Sequence, residues 1–158
     1  MSRAFVRETD DLPEELPERP VSAHPNYVTD RGLRQIEERV QELEQAREAA
    51  RPSGDKAALA RIERDLRYWH ARRATAQRVD PGASPDRVRF GMTVTLRFPD
   101  AEERRYALVG EDEADPAAGR ISWVSPVAHA LLGREVGDEV ALQGRSAEIV
   151  AIESPQRS

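Results

Sequence analysis

Cysteine is absent from the 158 residues, lysine occurs once, as Lys56, and aromatic residues make up 5% of the chain. The missing thiols exclude disulfides, thiolate nucleophiles and cysteine-ligated zinc or iron, and they suit a reducing compartment. Scarce aromatics leave little with which to fill a large interior or line a deep apolar pocket. No run approaches the roughly 18 to 20 apolar residues of a membrane span, and the opening MSRAFVRETDD lacks the apolar stretch of a secretory signal. A cytoplasmic protein with no membrane partner is the expectation. His24, His70 and His129 stand far apart, and no Ser-His-Asp set, glycine-rich phosphate loop or metal-spaced histidine pair occurs. A free-standing enzyme, a resident metal and a cofactor of its own all lack support.

What is abundant is charge. Asp, Glu, Lys and Arg form 34% of the residues and leave a net charge of −5, which argues against a general affinity for nucleic acid. The charge is unevenly placed. Residues 29–50 carry six acids and four bases, residues 55–78 three acids and seven bases, and residues 88–153 twelve acids and seven bases. The C-terminal half is thus acidic, and its natural partner is a basic protein patch.

Residues 1–27 hold Pro13, Pro17, Pro20 and Pro25 among acidic and polar neighbours, without a sustained apolar period, and are expected to form a flexible tail. Phe5 and Leu12 are its bulky anchors for a partner. Thr29 is a predicted N-cap, after which Leu33, Ile36, Val40 and Leu43 recur at helical spacing, continued by Ala46 and Ala50. Arg51-Pro52-Ser53-Gly54-Asp55 breaks the pattern. A second stripe, Leu59, Ile62, Leu66, Trp69 and Ala76, is interrupted by Arg73. Two stripes across a tight turn predict an antiparallel coiled-coil hairpin over 28–79, each arm about 30 Å long. Glu37, Glu38, Glu42, Glu44 and Glu48 are expected to face Arg61, Arg64, Arg67 and Arg72. Residues 80–87 read as a linker. From Val88 the period changes to alternation, with strands at Val94 to Phe98, Arg105 to Val109, Glu139 to Leu142 and Ala147 to Ile152, and a short helix at Pro126 to Leu132 ended by Gly133. The predicted class is α+β, with a C-terminal domain over 88–154.

Within residues 107–142 the chain carries the acidic loop Gly110-Glu111-Asp112-Glu113-Ala114-Asp115, a Ser125-Pro126 turn into Ala128-His129-Ala130-Leu131-Leu132-Gly133, and a Gly137-Asp138 turn. This set, together with Phe90 to Leu96 (FGMTVTL) and Thr29-Asp30-Arg31-Gly32-Leu33, resembles the bacterial GreA/GreB family of transcript-cleavage and elongation factors. The resemblance implies an FKBP-like C-terminal domain that docks at the RNA polymerase secondary channel, with the hairpin directed inward. It implies a polymerase-binding set of Glu111, Asp112, Glu113, Asp115, Ser125, Pro126, Val127 and Leu131. Ser125 and Pro126 serve equally well as a helix cap.

The hairpin tip departs from the family. Cleavage-stimulating members carry two acids three positions apart after a glycine, and these help hold a magnesium ion of the polymerase active site. Here Gly54-Asp55-Lys56-Ala57-Ala58 keeps Asp55 and replaces the second acid by Ala58. One carboxylate beside Lys56 is a poor clamp for a hard cation, and Asp55 is also a natural N-cap. Both arms are shorter than those of the cleavage factors by roughly two to three turns each, which withdraws the tip by about 10 to 15 Å. The expectation is a monomeric regulator that modulates or competes and meets nucleic acid only within the elongation complex. The alternative is a cleavage factor in which Asp55 shares the magnesium with a helper such as Glu48 or a carboxylate of the polymerase. A third reading, a prolyl isomerase, would require Phe90, Phe98, Tyr106 and Trp123 to converge on a pocket.

Overall fold

Thr29 and Asp55 open the two long helices of the structure, a computed structural model that describes residues 16–155. After a two-residue strand β1 (Tyr27–Val28) comes α1 (Asp30–Ala50), then a single 3₁₀ turn (Arg51–Ser53), α2 (Lys56–Thr75) and the two-residue strand β2 (Gln77–Arg78). The remainder is β3 (Thr93–Arg97), β4 (Glu103–Val109), β5 (Arg120–Ser122), α3 (Pro126–Leu131), β6 (Glu139–Leu142) and β7 (Arg145–Glu153), with 3₁₀ turns at Glu111–Glu113 and Pro116–Ala118. The described residues form two compact units, one of 16–21 with 36–74, the other of 22–35 with 75–155. No helix among them is long and apolar enough to cross a membrane.

In the hairpin unit the 3,4 apolar spacing does what it predicts. Val40, Leu43 and Leu66 are buried together, with Ile62 and Trp69 packed against them. The turn between the arms closes on Gly54 in the left-handed region, φ +71°, which relieves the Cβ clash that any other residue would meet there. The Asp55 carboxylate accepts from the amide of Ala58 at 3.0 Å and so caps α2.

Three expectations for this unit need correction. Ala76 does not extend the stripe, because α2 stops at Thr75; the stripe ends instead on Arg72, which is fully buried, while Arg73 is exposed. Nor do the first-arm acids meet Arg64 and Arg67. Glu42 pairs with Arg39 and Glu48 with Arg51 along their own helix, while Arg64 contacts its neighbour Asp65. Arg67 takes Glu18 in a bidentate grip, two contacts at 3.0 Å and one at 2.6 Å. This points to the third correction, since residues 16–27 are not a free tail. Arg19 lies 4.0 Å above the Tyr68 ring and 3.4 Å from Asp65, so the segment before α1 straps onto α2. The Arg67 guanidinium holds the Glu18 carboxyl below the usual carboxylate range. Phe5 and Leu12 lie outside the described residues.

The second unit is built on a five-stranded sheet in the order β5-β4-β3-β7-β6, antiparallel except for the parallel β4–β5 pair. Val94 and Leu96 on β3, Leu108 on β4 and Ile149 on β7 are completely buried, and α3 covers them with Ala128 and Leu131. The four strands expected from alternation are all present. The expected hairpin boundary at 28 falls inside β1, which pairs in parallel with β2, Tyr27 opposite Gln77 and Val28 opposite Arg78. The stretches of chain that lead into and out of the helical arms therefore lie side by side.

Candidate functional site

The acidic loop begins where β4 ends. Its first residue, Gly110, approaches the carbonyl of Tyr27 so closely that a Cβ would stand 2.4 Å from that oxygen. The loop then turns through Glu111–Glu113, and its acids diverge. Glu113 points inward, its side chain only 4% exposed. Its carboxylate accepts from the Thr29 hydroxyl and, at 3.2 Å, from Arg31 Nη1. Thr29 in turn accepts from the amide of Gly32 at 3.0 Å, so one hydroxyl both caps α1 and donates to the loop. Gly32 leaves room for this contact, because a Cβ there would sit 2.7 Å from the Glu113 carboxylate and force it to shift. Glu111 and Asp112 are half-buried, and Asp115 is exposed at 3.4 Å from Arg120.

Helix α3 supplies the other half. Ser125 Oγ accepts from the amide of Ala128 at 3.2 Å, Pro126 occupies the first turn in the open, and Val127 packs partly against the core. Both α3 and the acidic turn pack against β5, which brings the two motifs onto one region of the unit. Of the eight predicted contact residues, two are removed from any surface. Leu131 has no exposure at all and belongs to the core, and Glu113 is committed to the base of α1. Glu111, Asp112, Asp115, Pro126 and Val127 remain as the candidate docking face, with Ser125 shaping it as a cap.

The four aromatics do not form a pocket. Phe98 is buried beneath Arg104 and Arg145. Trp123 and Phe90 instead flank Tyr27, with ring centroids 5.0 and 6.2 Å away, and His24 packs edge-on to Trp123 at 6.1 Å. His70 lies 3.7 Å from Glu44, and among the described residues no three His, Asp or Glu side chains converge as a metal site. The contribution of residues 24–31 was not evident from pattern alone. The N-cap signal at Thr29 and the resemblance carried by Thr29-Asp30-Arg31-Gly32-Leu33 pointed to the second half of that segment.

Residues 83–154 match the model of the transcription elongation factor GreA/GreB C-terminal domain. The transcription elongation factor GreA of Desulfovibrio desulfuricans is 38% identical over 136 residues, covering 78% of this chain and 84% of the relative. This chain belongs to the GreA/GreB family. Similarity within the family is higher over a shorter span, since GreA of Bacillus licheniformis is 50% identical over 72 residues, 45% of this chain and 46% of that protein. Among solved structures, GreA factor homolog 1 (Gfh1) of Thermus thermophilus is 26% identical and covers 83% of this chain and 100% of its own, at a TM-score of 0.42. As 78% of 158 residues is about 123, a match spanning 136 positions leaves up to about 13 of those positions without a residue of this chain opposite them.

Proposed function

We propose that this protein regulates transcription elongation by docking on RNA polymerase at the secondary channel, and that it modulates or competes there without efficiently stimulating transcript cleavage. The acidic face of Glu111, Asp112 and Asp115, with Pro126 and Val127 beside it, suits a basic helical patch on the polymerase. The observation that carries the reading is at the tip. The single acid, Asp55, is engaged with the Ala58 amide, and Ala58 is the residue that stands where the second acid is needed. Arms of 21 and 20 residues give a rod of about 30 Å. Placing in the hairpin the positions of the matched span that this chain lacks, up to about 13, is consistent with arms of this length, and a tip so withdrawn falls short of the catalytic centre. The protein acts as a monomer with no cofactor of its own, contacts nucleic acid only within the complex, and leaves the chemistry and its magnesium to the polymerase.

Transcript cleavage on a stalled, backtracked elongation complex tests this. Added alone, the protein leaves cleavage at its intrinsic rate; added with a cleavage-active Gre factor, it suppresses that factor's stimulation in a dose-dependent way. Stimulation by the protein alone, abolished in Asp55→Ala, would establish it as a cleavage factor instead. Failure to compete at saturating concentration would remove the docking reading.

A further inference from the structure

The second unit contains an open cavity of about 660 Å3, bounded by the first turn of α1, the segment after β2, and strands β4 and β5. Sites for small molecules commonly measure about 300 to 1,000 Å3. Five arginines line it, Arg31 and Arg34 from α1, Arg78 from β2, Arg105 from β4 and Arg120 from β5. In a chain of net charge −5 whose C-terminal half is the acidic one, so many guanidiniums on one concavity are out of pattern.

Counting donors and acceptors shows which sign the cavity favours. Its acids are already engaged. Asp30 accepts from Arg78, Glu113 from Thr29 and Arg31, and Asp80 from the amide of Gly82 at 2.9 Å. The arginines keep donors to spare. Each guanidinium carries five N–H donors. Arg31 uses Nη1 on Glu113, Arg78 uses Nε on Asp30, and Arg105 uses Nη2 on Glu153 at 3.0 Å. Arg120 has one contact, from Nη2 to Asp115 at 3.4 Å, while its Nε–H is shielded from solvent without an acceptor. That one long contact leaves the guanidinium free to re-seat. Arg34 makes no hydrogen bond or ion pair among the described residues.

We propose that this cavity binds a small anion bearing two or more phosphate groups, with Arg34 and Arg120 providing the principal contacts and Arg31, Arg78 and Arg105 the surrounding positive field. Planar guanidinium forks match phosphate oxygens two at a time. Donors arriving from four separate segments favour a ligand with charge at several points over a monoanion. Neither Arg34 nor Arg120 belongs to the docking face, and although Arg120 touches Asp115 there, Arg34 does not, so its variant tests the cavity apart from polymerase docking.

Isothermal titration calorimetry of the full chain decides it, with inorganic pyrophosphate, ATP and citrate as probes at matched ionic strength. Pyrophosphate or ATP is expected to bind saturably and to raise the melting temperature. Arg34→Gln and Arg120→Gln are expected to weaken binding about tenfold or more, while Arg61→Gln on the hairpin leaves it unchanged. Arg34 is exposed and unpaired, so its variant keeps the fold, which circular dichroism checks. Absence of saturable binding by both phosphate probes, equal loss in Arg61→Gln, or citrate binding as tightly as pyrophosphate would each overturn the proposal. Tighter binding of a short single-stranded RNA, lost in the same two variants, would assign the cavity to a polynucleotide backbone and overturn the small-molecule reading.

Discussion

Glu113 illustrates how an acidic run divides its labour once folded. By sequence it is one of four acids in a loop, and nothing in its charge separates it from Glu111, Asp112 or Asp115. Burial separates it. Its carboxylate collects the Thr29 hydroxyl and Arg31, and two glycines, Gly32 and Gly110, admit the close approach. Glu113→Ala leaves those donors without an acceptor, and a loss of about 1 to 3 kcal/mol in urea unfolding is expected. Asp115→Ala, by contrast, is expected to change stability by less than about 0.5 kcal/mol, since its pair with Arg120 is exposed. Glu18 yields a prediction of another kind. Its carboxyl is held low chiefly by the hydrogen bond from Arg67. A depressed folded value means that the stabilising contribution is present above the ordinary glutamate range and disappears as the pH falls through the lowered one. Limited proteolysis of residues 16–21 should find them protected at neutral pH and progressively more susceptible as the pH falls below the ordinary glutamate range, with Glu18→Gln more susceptible already at neutral pH.

The helices and the longer strands were legible in the sequence because their periods repeat often enough to exceed chance. Two arms of 3,4 spacing, the N-caps Thr29 and Asp55, and the alternation Val94-Leu96-Phe98 all appear where they were expected. The misses have physical causes. β1 and β2 span two residues each and β5 three, too few for any period, and they exist because of partners distant in sequence. Pairing across the arms differs from the sequence expectation because a surface arginine takes whichever acid lies nearest after packing. For Arg67 that acid is on the strap, 49 positions away. Within the hairpin, Leu66→Ala should cost about 2 to 5 kcal/mol, since its side chain is 2% exposed in the centre of the interhelical core. Asp55→Ala should cost about 1 kcal/mol through loss of the cap, with reduced helicity by circular dichroism. Both effects are to be measured alongside transcript cleavage, so that a change in activity is not mistaken for a change in folding.

Over the whole molecule, the proposed docking elements and the core elements share a short stretch of chain. In α3, Val127 contributes to the candidate face while Leu131, four residues on, is sealed inside. Leu131→Ala should therefore lower the melting temperature, whereas Val127→Asp should weaken association with polymerase more than it lowers stability. Comparing thermal scans with co-sedimentation separates the two. If the acidic face meets a basic partner, association should also slow as salt rises, the dissociation rate changing less. A last consequence follows from the pairing of β1 with β2. Val28 and Arg78 are neighbours across a ladder, although the helical arms separate them in sequence. Residues 36–74 of the arms form a compact unit of their own, while the first turn of α1 stays with the sheet unit, so evolution can trim or extend the arms in matched steps without reopening the sheet. The length of the rod becomes an interchangeable setting, and a laboratory graft at positions 36 and 74, which spares Thr29, Arg31 and Gly32, should fit this platform with arms of other reach.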